Sequence, residues 1–184
     1  MLHARCLLSP YARARIVSID TSAAKALPGV RAVLTGEDSD ILVGLYMQDK
    51  RVLSKGETRY HGDVVAAVAA EDEETAEHAV SLIKVEYEPL VPVHDVDEAL
   101  EGKTLVHEDI NDLKHYVGVF FPQKDSNIAS WNKSKKGDLE TAFSESDLVV
   151  ENEFSLPAVA HVPMETHVAI VQADPYSNKL KIWT

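Results

Sequence analysis

Two histidines and a glutamate, His161, Glu165 and His167, have the residue types and spacing that could bind a metal ion. The three positions have the same parity, so in an extended strand their side chains would lie on one face. Imidazole and carboxylate groups are common zinc ligands. Pro163 interrupts this geometry because its ring fixes the backbone and removes an N–H group. Polar clusters of this kind are more often hydrogen-bonded structural groups, so we expect no metal ion bound by the protein here.

The serines and the cysteine give little support for nucleophilic catalysis. Ser9 or Ser22 could be combined with a histidine in a hydrolase triad, but the sequence lacks the glycine pattern of a nucleophile elbow. Cys6 is the only cysteine. This excludes an internal disulfide, a thiolate-bound iron–sulfur cluster and a multi-cysteine zinc site. Its position in an apolar run predicts a small buried side chain rather than a reactive thiol.

The composition limits the classes of partner. The chain has 18 lysines and arginines against 30 aspartates and glutamates, a formal net charge of −12. Nucleic acids and anionic membranes select basic surfaces, so neither is an expected partner. No apolar run reaches the roughly 18–20 residues of a membrane-spanning helix, and residues 1–10 are too short and interrupted for a secretory signal. We therefore expect a cytoplasmic protein without membrane insertion.

Residues 59–90 have the pattern of a strand, a helix and a second strand. The uninterrupted small and β-branched residues of 64–70 predict a strand that is buried on both faces. Asp72 is suited to cap a helix, and the apolar positions after it have helical spacing, at Ala76, Ala79, Val80 and Ile83. Residues 84–88 alternate polar and apolar side chains and predict a second strand in the same sheet.

The glycine in this stretch does not form a nucleotide-binding motif. Gly62 precedes the strand, whereas a phosphate-binding loop needs its glycines between the strand and the helix. Tyr60 and His61, next to it, could line a pocket. Residues of this type beside a turn more often pack on the core, and we interpret them as structural.

The other predicted elements are short. In the first half, the patterns predict strands over 12–20 and 30–35, helices over 21–27 and 94–101, and a loop with one short strand over 38–57. Gly102 is expected to end the second of these helices. Residues 104–136 have no sustained period and predict a connection. Beyond them we predict a helix over 138–143 and strands over 147–156, 164–174 and 178–184. The sequence thus predicts an α+β fold with two domains, residues 1–102 and residues 103–184.

Taken in order, the phrases of the sequence resemble one known family. The first half contains LLSPYARARIVSIDTSAAKALPGVRAVLTGED, TRYHGDVVAAVAAEDEETAEHAVSLIKVEYEPL and VHDVDEAL. These phrases are similar to the a/b hammerhead domain of the molybdenum hydroxylases, the xanthine dehydrogenase and aldehyde oxidase family. The second half contains VHEDIN, NIASWNKSKKGDLETAFSESDLVVENEF, HVPMETHVAIVQ and LKIWT. It resembles the start of the molybdopterin-binding region in the same large subunit.

The resemblance implies a domain assignment. Residues 1–102 would be the a/b hammerhead domain, with a mixed sheet and two or three helices. Residues 103–184 would be a connecting segment and the incomplete, β-rich start of the molybdopterin-binding domain. On this resemblance the chain is the front part of a large subunit.

The resemblance also implies an activity. Family members hydroxylate a purine, another N-heterocycle or an aldehyde with oxygen derived from water. Their molybdenum–molybdopterin centre takes up the electrons and passes them to 2Fe–2S clusters and commonly to FAD. The implied partners are the remainder of the molybdenum subunit and iron–sulfur and flavin subunits. No cofactor is expected in the chain of 184 residues by itself.

Little of the family's catalytic machinery maps onto this sequence. Its glycine-rich pterin-binding motif and its general-base glutamate lie downstream of the matched segment, so no catalytic residue is assigned here. Val159 stands where several members have a glutamine close to the molybdenum oxo group, and an aliphatic side chain cannot donate that hydrogen bond. With His161 and Glu165, Val159 is a cofactor-proximal candidate. Arg13 replaces a histidine that is frequent in the family, which we interpret as a structural substitution.

Three functions remain open on the sequence alone. The first is a segment of a molybdenum hydroxylase, active only in the full assembly. The second is a non-catalytic assembly or interaction module with the hammerhead fold, and the third, ranked lowest, is an unrelated hydrolase. The apolar strand predicted at 178–184 would leave an exposed edge, so a homo-oligomer is among the predicted assemblies. The residues that would select the substrate lie mostly beyond those matched here.

Overall fold

The computed structural model describes residues 1–108, 110–116, 118–177 and 179–184. They form two compact units, Met1–Ser134 and Lys135–Thr184. The first unit contains, in chain order, β1 (His3–Leu8), β2 (Ala14–Asp20), α1 (Ser22–Ala26), β3 (Val30–Thr35), β4 (Leu42–Val43), β5 (Lys50–Arg51), β6 (Glu57–Thr58), β7 (Val64–Ala70), α2 (Glu73–Ser81), β8 (Lys84–Pro89) and α3 (Val96–Glu101). The second contains α4 (Leu139–Ser144), β9 (Ile170–Ala173) and β10 (Leu180–Trp183). The predicted α+β class is confirmed.

Two three-stranded sheets form the frame of the first unit. β7 is the central strand of one sheet, between β1 and β3, and β2 is the central strand of the other, between β6 and β8. The prediction that residues 64–70 and 84–88 belong to one sheet is therefore wrong. Both edges of β7 are already paired, so β8 pairs with β2, with Tyr87 opposite Ile16. All described pairings are antiparallel, so the predicted mixed sheet is observed as two separate antiparallel sheets.

The core of the first unit lies between α2 and the sheet of β1, β7 and β3. Ala66 and Val68 of β7 form one buried cluster with Ala79 and Ile83, on and just after the helix. Ala76 is also fully buried, and Val80 packs against the cluster. The predicted inward face of the helix is thus confirmed. Removal of this apolar surface from water is the main stabilising contribution of such a cluster.

The helix ends follow the capping residues that the sequence predicts. The Asp72 carboxylate accepts a hydrogen bond from the Thr75 N–H at 2.8 Å, and this contact lowers the pKa of Asp72. Gly102 ends α3 with a φ of 66°, a left-handed conformation that glycine adopts without steric cost. None of the described helices is long and apolar enough to cross a membrane.

One face of the sheet containing β7 is not covered by α2. Cys6 lies opposite Ala67, which lies opposite Leu34, so the three residues share the face away from the helix. Cys6 is exposed there, and the prediction of a buried cysteine is wrong. Sequence reasoning also misses β1, whose exposed residues alternate with half-buried ones at the edge of the sheet. Val65 is fully buried, but Ala67 and Ala69 are only half-buried, so the burial of β7 on its second face is partial.

Side-chain hydrogen bonds attach residues 103–134 to the rest of the first unit. The Asn127 side-chain oxygen accepts from the Val106 N–H at 2.8 Å. Its amide nitrogen donates to the carbonyl oxygens of Ala99 and Thr104 at 3.0 and 2.9 Å. One side chain thus connects the end of α3 to the segment that follows it. The domain boundary near residue 102 stays a prediction about the complete protein.

The region predicted as a loop with one short strand contains three. β4 pairs with β5, and β6 pairs with β2. Gly36 packs tightly against this region, because a Cβ atom there would lie 2.2 Å from the Ser54 carbonyl oxygen. A side chain at this position would push the Ser54 loop away from β3.

The second unit is a short helix and a two-stranded hairpin. Asp138 caps α4, accepting from the N–H groups of Glu140 and Thr141. β9 and β10 pair with Trp183 opposite Ile170. The strand predicted over 147–156 is absent from this part of the described chain, where a strand would need a hydrogen-bonded neighbour. Every described residue of 135–184 is exposed.

Candidate functional site

The cofactor-proximal candidates Val159, His161 and Glu165 lie together in an irregular segment of the second unit. All three are exposed, Val159 to 82%. His167 follows in the same irregular segment. Among the described residues, no group of three or more histidine, cysteine, aspartate or glutamate side chains is placed to hold a metal ion. The structure therefore gives these residues a common location but no enclosed site.

The backbone of this segment is strained at one residue. Val162 has a φ of 43°, in the left-handed region that β-branched residues rarely adopt. The following Pro163 restricts Val162 further, toward extended conformations. Such a conformation persists only where surrounding contacts hold it. We therefore expect residues 159–165 to need contacts beyond those of the described unit.

The two serines considered as nucleophiles have structural contacts. The buried Ser9 hydroxyl lies 3.1 Å from the Thr58 hydroxyl and accepts from the Tyr11 N–H at 3.2 Å. The Ser22 backbone N–H donates to the Asp20 carboxylate at the start of α1. Neither serine is hydrogen-bonded to a histidine among the described residues, so the hydrolase interpretation has no geometric support here.

Arg13 has the contacts of a structural residue. Its Nε donates to a Glu57 carboxylate oxygen at 2.7 Å, and Nη1 donates to the Val91 carbonyl oxygen at 3.3 Å. Both partners of the ion pair are largely buried at the side-chain level. These bonds connect the residue just before β2 to β6 and to the chain after β8, which supports the structural interpretation of this substitution.

A cavity of about 240 Å³ lies in the first unit, and we call it the charged cavity. Its wall carries acidic and basic side chains in equal number and is lined by Asp49, Lys50, Arg51, Ser54, Glu57, Arg59, Tyr60, Asp63, Val106 and His107. Sequence reasoning missed this site, because its residues come from segments about 50 positions apart and have no local motif.

The turn before β7 positions one wall of the charged cavity. Asp63 is only 7% exposed, and its Oδ2 accepts from the Arg59 N–H at 3.1 Å. The Asp63 N–H donates in turn to the Tyr60 carbonyl oxygen at 3.2 Å. Gly62 supplies the positive φ, 89°, that the turn requires. These bonds hold the side chains of the turn at the cavity.

The position of Tyr60 differs from the one that the sequence predicts. The residue pattern predicts that it packs on the core, but Tyr60 is 39% exposed and lies in the cavity wall. The Lys50 Nζ is 4.9 Å from the centre of its ring, a distance at which a cation is attracted to the aromatic face. Interaction with the Tyr60 side chain raises the pKa of Lys50, which stays positively charged.

His107 is the titratable residue at the opposite wall. Its Nε2 lies 3.4 Å from Asp49 Oδ2, and its side chain is 15% exposed. Burial lowers the pKa of His107, and the neighbouring Arg59 lowers it further, while Asp49 and Glu57 act in the other direction. The net effect favours the neutral imidazole at neutral pH.

Ser54, His107 and Asp49 bring the residue types of a catalytic triad to one cavity. Ser54 is 3% exposed, and its hydroxyl has no hydrogen-bond partner among the described residues. A triad requires a bond between the serine hydroxyl and the imidazole. The described residues of the charged cavity therefore do not have the geometry of a hydrolase triad.

Comparison with known proteins identifies the family to which the chain belongs. Residues 1–91 match the family described as aldehyde oxidase and xanthine dehydrogenase, a/b hammerhead domain. Residues 120–184 match the molybdopterin cofactor-binding domain. A probable xanthine dehydrogenase subunit of Bacillus subtilis is 38% identical over 179 residues, which cover 95% of this chain and 22% of the relative. The chain belongs to the aldehyde oxidase and xanthine dehydrogenase family.

Two further relatives show how widely the family's named substrates range. The carbon monoxide dehydrogenase large chain of Afipia carboxidovorans is 35% identical over 190 residues, covering 100% of this chain and 23% of that one. The crystal structure of quinoline 2-oxidoreductase from Pseudomonas putida 86 matches with a TM-score of 0.77 at 34% identity, covering 99% of this chain and 23% of that one. The predicted family and a/b hammerhead fold are confirmed. The chain spans less than a quarter of the length of these three relatives.

No described residue of 120–184, the range that matches the molybdopterin cofactor-binding domain, is fully buried. The match to the cofactor-binding domain extends through the second unit, but every described side chain there is exposed. The Val159 side chain has no hydrogen-bond donor to offer a bound group. The cavity described above is lined entirely by residues of the first unit.

Proposed function

We propose that this chain is the N-terminal segment of the large subunit of a molybdenum hydroxylase. The complete enzyme oxidises a purine, another N-heterocycle or an aldehyde with oxygen derived from water. The observation that carries the proposal is the order of two matches, a hammerhead domain over residues 1–91 and a molybdopterin-binding domain over residues 120–184. The named substrates of the relatives differ, so they support this class of reaction and not one substrate.

The proposed assembly contains more than this chain. Molybdopterin with molybdenum supplies the redox chemistry in the complete large subunit. The remainder of that subunit completes the site, and iron–sulfur and flavin subunits carry the electrons away. One relative is named as a large chain and another as a single subunit of its enzyme, and both names support a multi-subunit organisation. We place the assembly in the cytoplasm and expect neither nucleic acid nor a membrane among its partners.

Val159, His161 and Glu165 are proposed to lie near the cofactor in the complete large subunit. The support is their position inside the region that matches the molybdopterin-binding domain. In the loaded complete enzyme, His161→Ala and Glu165→Gln should alter the electron paramagnetic resonance signal of molybdenum. His78→Ala, an exposed position on α2, is the matched control and should leave that signal unchanged.

Cofactor content tests the proposal directly. The 184-residue chain and the product of the complete reading frame that contains it would be expressed in a host that makes molybdopterin. Molybdenum and pterin fluorescence would be measured in both purified proteins. We expect molybdenum near one atom per polypeptide in the complete product and none in the 184 residues, because no described residue of the range that matches the cofactor-binding domain is fully buried.

The opposite outcomes are equally informative. Stoichiometric molybdenum in the 184 residues would show that this segment holds the cofactor without the rest of the large subunit. Its absence from both proteins would favour the non-catalytic assembly or interaction module that shares the hammerhead fold.

A further inference from the structure

We infer that one face of the sheet of β1, β7 and β3 is an interaction surface for the part of the large subunit that follows residue 184. The surface is the side of the sheet that is turned away from α2, and we call it the uncovered face. The inference rests on the proposed function, because the occupant belongs to the complete large subunit. It involves neither the charged cavity nor the cofactor-proximal residues.

Six residues without charge form the uncovered face. They lie in two rows across the three strands, Ala4, Ala69 and Ala32 in one row and Cys6, Ala67 and Leu34 in the other. Residues directly opposite each other in antiparallel strands point to the same side of a sheet. Ala66 and Val68 point to the other side, into the core with α2. The four residues of the rows that belong to β1 and β3 are exposed, so no described part of the chain packs over them.

The other sheet of the first unit has a different composition on its exposed side. Arg15 forms an ion pair with Glu88, which lies opposite it on β8, and Asp20 lies opposite Lys84. An antiparallel sheet with one side in water typically has polar side chains on that side. The sheet of β2 and β8 follows this rule, whereas the uncovered face does not. We therefore expect another layer of the complete protein to pack on the uncovered face.

The occupant is an apolar element that approaches the sheet closely. Four of the six side chains are alanines, which leave the strand backbone near the surface. The helix α2 has the matching arrangement on the opposite side, where its residues Ala76 and Ala79 are fully buried. Helices and sheets bury their apolar sides against another layer of the same domain. This chain spans 22% and 23% of two matched relatives, so most of a large subunit of that length is available to supply the layer.

The size of the uncovered face favours an occupant from the same polypeptide over a separate protein. From the spacing of strands and of residues along a strand, the two rows cover an area on the order of 200 Å². A stable interface between separate proteins buries about 800 Å² on each partner. A segment of the same polypeptide does not lose the translational and rotational freedom that separate molecules lose on association. The net charge of −12 on each chain further disfavours a second copy.

Alkylation of Cys6 measures whether the uncovered face is covered. Cys6 is the only cysteine of the 184 residues and lies in the second row. The 184-residue chain and the product of the complete reading frame would be treated with N-ethylmaleimide under native conditions. Trypsin then releases Cys6 in a peptide of residues 6–13, and mass spectrometry gives its modified fraction over time. The peptide identifies Cys6 among any other cysteines of the complete product.

Cys6 should react at least about tenfold more slowly in the complete product, because a covered thiol reacts only when the contact opens. Denaturation of the complete product should restore the rate found in the 184 residues. Equal rates in the two native proteins would overturn the inference. Slow alkylation of the 184-residue chain that becomes slower still at higher protein concentration would also overturn it, because the occupant would then be a second copy.

A second thiol position tests whether the protection is specific to this face. Ser18 is exposed on the other sheet, and the thiol introduced by Ser18→Cys should react at the same rate in both proteins. Equal protection of this thiol and of Cys6 would show that the whole first unit is enclosed. The uncovered face would then be no distinct interaction surface, and the inference would be wrong.

Two matched charge substitutions test the contact itself. Ala32→Glu places a carboxylate at an exposed position of the first row and should speed the alkylation of Cys6 in the complete product several-fold. Ala23→Glu makes the same change at an exposed position of α1 and should leave Cys6 protected. Equal effects of the two substitutions would contradict the inference. Where Ala32→Glu prevents the complete product from folding, the rates of Cys6 in the parent proteins still decide.

The molybdenum content of the same preparations separates the inference from the proposed function. Protection of Cys6 in a complete product without molybdenum would support the interaction surface and count against the hydroxylase. A reactive Cys6 in a complete product with stoichiometric molybdenum would overturn the interaction surface alone.

Discussion

The two units of the molecule use their apolar residues in different ways. In the first unit, Val68, Ala79 and Ile83 are buried together between a helix and a sheet. In the second unit, Phe154, Leu156 and other large apolar side chains are exposed, Leu156 to 90%. Apolar residues thus form a core in the first unit and remain on the surface in the second.

The two units therefore contribute unequally to the stability of the chain. Burial of apolar side chains is the dominant favourable contribution to folding, so the free energy of unfolding must come almost entirely from the first unit. The second unit has a capped helix and one hairpin, and isolated hairpins are marginally stable. Its apolar residues are suited to pack against other parts of the proposed large subunit.

Amide hydrogen exchange should show the largest contrast between the units. We expect the amides of β7 to open only with global unfolding, which for a domain costs on the order of 5–15 kcal/mol. The amides of residues 159–168 should exchange at nearly the rate of an unfolded peptide, because this segment has no regular structure. Comparable protection of β7 and residues 159–168 would show that the two units do not differ in stability.

Truncation of a core residue should have the next largest effect. Ile83 is 7% exposed, and Ile83→Ala should lower the free energy of unfolding by about 2–4 kcal/mol, through lost burial and the cavity left behind. Leu156→Ala is the matched change in the second unit and should alter it by less than about 0.5 kcal/mol. Denaturant titration measures both values. A similar loss in the two variants would show that the second unit shares the core.

The elements that sequence could predict are those with a local signal. The helical spacing of Ala76, Ala79 and Ile83 identified α2 and its buried face. Asp72 and Gly102 marked helix ends, because an aspartate side chain can cap a helix and a glycine can adopt a left-handed conformation after one. Strand partners have no such local signal. The assignment of β7 and β8 to one sheet failed because pairing depends on which strands occupy the edges of β7.

The candidate sites also differ in whether they have a local signal in the sequence. The family resemblance points to Val159, His161 and Glu165, which lie within one continuous segment, and their position near the cofactor stays a prediction. The charged cavity could not be found by pattern. Ser54 and His107 are separated by about 50 residues, and only the folded chain brings them to one wall. The exposure of Cys6 was missed for a related reason, because burial of an edge strand depends on what covers the sheet.

A polar anchor of the first unit should contribute less than the core. Asn127 bonds three backbone groups around the end of α3. Asn127→Ala leaves these partly buried groups without partners and should cost about 1–3 kcal/mol. Asn132→Ala is the control, since Asn132 is exposed and its side-chain amide donates to the Ser130 hydroxyl at the surface. Equal stability of the two variants would show that residues 103–134 are not held by Asn127.

The smallest expected effect is a pH dependence that belongs to the first unit alone. Burial, assisted by Arg59, holds the pKa of His107 below its ordinary value, although Asp49 and Glu57 oppose the shift. The folded protein therefore binds a proton less readily than the unfolded chain. Above the unfolded pKa of about 6.5 both states are neutral, and the full stability is present. As the pH falls below that value, the unfolded chain gains a proton first, so stability decreases until the folded pKa is passed.

Variants separate this effect from the titration of the carboxylates. His107→Gln should flatten the fall in unfolding free energy as the pH drops below the unfolded pKa of about 6.5, because it removes the group whose pKa differs between the two states. His161→Gln removes an exposed histidine of the second unit and should follow the parent profile. The difference between the parent and His107→Gln curves isolates His107, since all other groups are common to both proteins. Parallel curves would mean that His107 is not buried in solution, and the wall it provides to the charged cavity would then be open.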